Sequence, residues 1–182
     1  MVVMPLLPQS RPLTRADLDR MPEDGHRYEL IDGVLVVSPA PRHLHQRAVG
    51  SLHVRLHAAC PPDLEVLLAP FDVALADDTV LQPDLLVARR SDVTSRDLPT
   101  APVLAVEVSS PSTRLFDLNV KKARFELAGT ASYWVVDPDT PSVTVWELGD
   151  HAYAEVARAI GGEVLTVARP FELTLAPDDL IA

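Results

Sequence analysis

The chain has 182 residues, 47% of them hydrophobic and 23% charged, and a net charge of −10. This suits one soluble globular domain and excludes a helical membrane protein, because no apolar run approaches the roughly 20 residues that cross a bilayer. The acidic balance argues against a protein that coats nucleic acid, and the single cysteine, Cys60, excludes an internal disulfide. The start, Met1-Val-Val-Met-Pro-Leu-Leu-Pro8, lacks the basic n-region of a signal peptide, so a cytoplasmic location is expected.

Residues 1–12 are proline-rich and read as a flexible arm, and 13–182 as a single domain. Thr14 is placed to cap a short helix with Asp17 in its first turn, and Leu13 and Leu18 hold staple positions. Arg27–Ile31 and Val34–Val37 flank Asp32-Gly33, a strong hairpin signal. After Pro39 and Pro41 a helix is predicted from Arg42 to Ala59, with His45, Val49, Leu52, Leu56 and Ala59 as its inward stripe. Strands are predicted at Glu65–Ala69, Phe71–Leu75 and Asp84–Ala88, and residues 89–101 read as a charged loop. Val103–Ser109 is almost continuously apolar, the signature of a strand covered on both faces. Ser110–Thr113 reads as a turn and cap before a helix from Arg114 to Ala128, which Gly129 ends. Tyr133–Asp137 and Val143–Leu148 form a further strand pair, with short strands after Tyr153. Strands interleaved with covering helices predict an α/β domain with a central mixed sheet.

Charge is unevenly spread. Arg42 to His57 carries three arginines, four of the six histidines and no acid. Arg114 to Phe125 carries four basic residues and one acid, Asp117. A basic cleft on an acidic body would give this pattern, and so would two solvated helix faces.

Two acids stand on apolar strands. Glu107 lies inside Val103–Val108, and Asp84 opens Leu85-Leu-Val-Ala88. A carboxylate in mid-sheet needs a cation or hydrogen bonds to compensate it. Hard oxygen donors of this kind suit Mg²⁺ or Mn²⁺, whereas a turn residue for Asp84 and an arginine-paired carboxylate for Glu107 are the plainer alternatives. Lys121 and Lys122 are the only lysines among sixteen basic residues. Lys121 shares a helix face with Asp117, four residues away, and its stem is long enough to reach Glu107. A surface ion pair has the same spacing, and Lys122 could take the same role. Glu29 is a third acid, solvent-facing or part of the site, and His45 opens the inward helix stripe.

Taken together, these residues resemble the Uma2 family of endonuclease-like proteins, within the PD-(D/E)XK restriction-endonuclease-like superfamily. The resemblance rests on Arg27-Tyr-Glu-Leu-Ile-Asp-Gly33, His45-Gln-Arg47, Gln82-Pro-Asp-Leu-Leu-Val87 and Val106-Glu-Val-Ser-Ser-Pro-Ser-Thr113. It continues through Asp117 with Lys121 and through Gly129 with Tyr133-Trp-Val-Val-Asp-Pro138. It implies an α/β/α core with additional hairpins, in which Asp84 and Glu107, with the Val108 carbonyl, hold Mg²⁺, Mn²⁺ being able to substitute. Lys121 would orient the attacking water, and Glu29 would serve a second metal or a metal-bound water. His45, Arg47 and Lys122 would contact nucleic acid, expected to be DNA. A homodimer fits paired cuts on a duplex. The sequence departs from the superfamily at Ser109, where a lysine usually stands two residues after the second acid, and at Phe125, where similar sequences often have tyrosine. The alternative expectation is a nuclease-like domain that does not cleave and serves binding or assembly.

Overall fold

The computed structural model describes residues 7–8, 10–38, 40–110 and 114–182, Arg114 by its backbone alone. The turn and cap expected at 110–113 and the N-terminal arm therefore fall largely outside the described residues. After helix α1 (Arg15–Leu18) come strands β1 (Arg27–Ile31) and β2 (Val34–Ser38), helix α2 (His43–Ala59), and strands β3 (Leu64–Leu68), β4 (Asp72–Ala76), β5 (Thr79–Leu81) and β6 (Leu85–Arg89). Strands β7 (Asp97–Leu98) and β8 (Leu104–Val108) precede a helical segment in three parts: α3 (Arg114–Phe116), a π-helical turn (Asp117–Lys121) and α4 (Lys122–Ala128). Strands β9 (Ser132–Asp137), β10 (Ser142–Leu148), β11 (Tyr153–Ile160), β12 (Leu165–Val167) and β13 (Leu173–Leu175) follow.

The main sheet has six strands in the order β11-β10-β9-β8-β6-β3. Its β8–β9 pair is parallel and its other pairs are antiparallel, so the sheet is mixed as expected. β8 sits near the middle and is buried along its whole length. A second sheet, β2-β1-β5-β4-β7, has five strands. It grows from the predicted hairpin, where Asp32 and Gly33 both take positive φ, at 50° and 75°. A Cβ on Gly33 would stand 2.4 Å from the Pro12 Cβ, so the turn needs glycine for space as well as for conformation.

Strand alternation decides what each face of the main sheet receives. On one face Leu85, Val87, Leu104, Val106, Trp134 and Val136 pack with Ala48, Leu52 and Leu56 of α2. Each such side chain removed from water contributes roughly 1.5–3 kcal/mol. On the other face Leu86, Ala88, Ala105, Tyr133 and Val135 pack with Phe125 of α4 and with Ile31, Val73 and Leu81 of the second sheet. The second covering layer is thus part helix and part sheet, where helices with added hairpins were expected.

Three local expectations change. The buried stripe of α2 is Ala48, Leu52 and Leu56, while Ala59 at the helix end is exposed. Residues 89–101 are not a plain loop, because β7 pairs in parallel with β4. The predicted helix from Arg114 to Ala128 carries a π-helical turn, in which the Lys122 N–H reaches the Asp117 carbonyl.

Candidate active site

The alternation that fills the second face with apolar groups also delivers the charged ones. Asp84, Leu86 and Ala88 point the same way, as do Ala105 and Glu107, and as do Arg27, Glu29 and Ile31 of β1. The Leu85–Val106 pairing of β6 with β8 brings Asp84 and Glu107 side by side, one residue further along. Three strands therefore bring charged groups into one layer between the two sheets, at the end where the chain leaves β8 for the helical segment.

Lys121 arrives from the π-helical turn. Such a turn displaces the side chains after it and recurs at functional sites. Here its Asp117 carbonyl also accepts a hydrogen bond from the Tyr133 hydroxyl, at 2.8 Å. Lys121 Nζ lies 2.9 Å from Glu29 Oε1 and 3.1 Å from Glu107 Oε1, and the lysine is only 2% exposed. Glu29 is fully buried and also accepts the Gln82 N–H at 2.8 Å. Burial pulls the Lys121 pKa down, but the Glu107 and Glu29 carboxylates outweigh it and hold the ammonium charged. Burial, together with the neighbouring Asp84, Asp117 and Glu29, pushes Glu107 well above the usual carboxylate range, against the pull of Lys121.

Asp84 is compensated differently. Its Oδ1 accepts from Arg27 Nη1 at 2.7 Å. Its Oδ2 accepts the Val108 N–H at 2.8 Å and lies 3.1 Å from His45 Nε2. Burial would raise this carboxyl, yet the His45 hydrogen bond and the Arg27 charge outweigh it and hold the pKa at about 2. Beyond these groups opens a cavity of about 830 Å³, lined among others by Arg27, His45, Asp84, Glu107 and Lys121.

Of the eight residues the sequence suggests, the structure brings six together: Asp84, Glu107, Lys121, Glu29, His45 and Val108. Val108 meets Asp84 through its N–H. Arg47 and Lys122 lie elsewhere. The Arg47 guanidinium donates to the Ala182 carbonyl, 2.7 Å from Nε. Lys122 Nζ stands 4.9 Å above the Trp146 ring, turned away from the acids. Arg27 went unrecognised. Its signal was the i,i+2 spacing with Glu29, which places both side chains on one face of β1.

The donor set fits a hard divalent cation in kind, since three carboxylates converge and Glu29 Oε2 is buried without a hydrogen-bond partner among the described residues. As they stand, however, no group of three or more His, Cys, Asp or Glu side chains among the described residues is placed to hold a metal ion. No helix among them is long and apolar enough to cross a membrane.

The family model of Uma2, described as "Putative restriction endonuclease", matches residues 15–178. No curated protein sequence matches the chain. Among solved structures, that of "a putative nuclease belonging to DUF820" from Anabaena variabilis ATCC 29413 superposes with a TM-score of 0.72. It covers 93% of this chain and 98% of that one at 19% identity, a likeness of fold.

Proposed function

The chain belongs to the Uma2 family, and from that membership we propose that it is a divalent-metal-dependent endonuclease that hydrolyses nucleic-acid phosphodiester bonds, DNA first among them. The observation that carries this reading is Lys121, buried between Glu29 and Glu107 beside Asp84 at the edge of an open cavity. Asp84 and Glu107, with the Val108 carbonyl, are the residues that would hold Mg²⁺ or Mn²⁺. A bound cation would supply Lewis acidity at the scissile phosphate and lower the pKa of a coordinated water. Lys121 is held charged by two carboxylates and would orient that water or offset charge developing on the phosphate. Glu29 fixes Lys121 and keeps one buried oxygen, Oε2, free to accept from water. His45, at the cavity wall, would meet a flanking phosphate.

One observation favours a second reading, a nuclease-like module that binds without cleaving: both Asp84 oxygens are already engaged by Arg27, His45 and Val108. Cleavage of DNA and RNA in Mg²⁺ or Mn²⁺ separates the two. The catalytic reading expects cleavage by the wild type that Asp84→Ala and Glu107→Ala both abolish. Equal cleavage by all three proteins would assign the activity to a contaminant, and none by the wild type would favour the module.

A further inference from the structure

Arg27 connects the closed part of the cluster to the cavity. It shares the inward face of β1 with Glu29, lines the cavity, and keeps its side chain 23% exposed. Its Nη1 holds Asp84 Oδ1 at 2.7 Å. Its Nε lies 3.7 Å from Glu29 Oε2, and both of those atoms are buried without a hydrogen-bond partner among the described residues. The guanidinium is therefore stretched between two carboxylates and satisfies only one of them.

The cations of the cluster divide its acids between them: Lys121 is shared by Glu29 and Glu107, and Arg27 meets Asp84. On Asp84 the Oδ2 atom already carries two donors, so the lone pairs open to another cation are those of Oδ1, where Arg27 sits. This explains why three convergent acids do not form a ready metal shell among the described residues.

We propose that Arg27 is an internal counter-ion that occupies the cation's place on Asp84 and, when a divalent cation enters, transfers to a phosphate of the nucleic-acid substrate in the cavity. The inference rests on the metal-dependent reading above. Displacement leaves a charged guanidinium at the cavity wall, and its planar fork matches two phosphate oxygens as well as it matches a carboxylate. Metal and substrate binding are thereby coupled: the cation frees Arg27, and the phosphate keeps Arg27 from returning.

Mn²⁺ titration calorimetry on the full chain tests the first half. Arg27→Ala is expected to bind Mn²⁺ at least tenfold more tightly than wild type, because the competitor is gone. Arg27→Lys, which keeps the charge, should stay nearer wild type. Should Arg27→Ala fail to fold, Arg27→Gln removes the charge and keeps a hydrogen-bonding head, with the same expected sign. The second half is read as fluorescence anisotropy of a short labelled DNA oligonucleotide in saturating Ca²⁺, where Arg27→Ala is expected to bind at least tenfold more weakly. A purely structural arginine would not tighten one ligand while weakening the other. Mn²⁺ affinity that is equal or lower in the charge-removing variant, with wild type binding, overturns the counter-ion role and leaves the metal site standing. Binding of Mn²⁺ by neither protein takes down the metal site as well. Unchanged oligonucleotide affinity overturns the transfer to phosphate.

Discussion

The two faces of the main sheet solve the same packing problem with different materials. Against α2 the sheet buries aliphatic groups and Trp134. Against the second sheet it buries aliphatic and aromatic groups up to the end of β8, and there admits Glu29, Asp84, Glu107 and Lys121, none more than 3% exposed. Dispersion and the hydrophobic effect hold the first face without regard to partner identity. On the second face each charge is tolerable only while its partner is present, since an unpaired buried ion costs several kcal/mol. The charged face is thus the more fragile of the two and is the one that opens to the cavity, where a ligand can replace a partner.

The sharpest way to break this contrast is Lys121→Ala. It leaves Glu29 and Glu107 facing one another without their shared cation. Removing one member of a buried ion pair costs about 3–5 kcal/mol, which denaturant unfolding would measure. Adding Glu29→Gln and Glu107→Gln to Lys121→Ala should recover part of that loss, because the stranded charges are then gone. A triple variant as unstable as the single one would show that Lys121 acts through packing instead. On the opposite face Leu56→Ala, a fully buried site under α2, should cost about 2–5 kcal/mol through the lost methyl groups and the residual cavity. That loss should be the same at pH 5 and pH 8.

The pH dependence sharpens the comparison further. The Asp84 carboxyl is held at about 2 in the folded protein against an ordinary 3.8. Its folded value is the lower one, so Asp84 contributes stability above pH 3.8 that is lost as the pH falls through about 2. The contribution is about 2 kcal/mol at neutral pH. Glu107 has the opposite sign. Its folded pKa is raised by burial, so its contribution is full below 4.5 and is lost as the pH rises through the folded value. Unfolding curves across pH should therefore lose acid sensitivity in Asp84→Asn and lose their decline above pH 4.5 in Glu107→Gln. If neither variant changes the shape of the curve, the charges on this face are not in the states described.

Much of this arrangement could be read from residue order because it follows from period-two alternation and from turns with strict chemistry. Asp32-Gly33 specified a hairpin and Gly129 a helix end, and both adopt positive φ as those roles require. Asp84 and Glu107 stood out because carboxylates on apolar runs are rare. The second sheet was harder to see. Its strands β5 and β7 have only three and two residues and acquire their identity from distant partners, which local propensity does not carry. The π-helical turn was invisible for a related reason, since no residue type in Asp117–Lys121 marks the extra residue that the turn accommodates. Arg27 was passed over because a lone arginine at the start of a strand is usually solvated. Only the approach of β6 to β1 turns it into the partner of Asp84.

The smallest expected effect separates the two adjacent lysines. Lys121 and Lys122 are equivalent in composition, but the turn that points one at the carboxylates sends the other over the rings of Trp146 and Tyr153, at 4.9 and 6.0 Å. Lys122 thus acts as a cation on an aromatic face at the rim, a contact worth about 0.5–1 kcal/mol when exposed. Lys122→Ala should lower stability by no more than that, with no change in its pH profile. If cleavage is observed, Lys122→Ala should retain it while Lys121→Ala abolishes it. Loss of cleavage in Lys122→Ala at unchanged stability would mean that the substrate extends past the cavity to the face of Trp146, and would assign Lys122 a phosphate contact of its own.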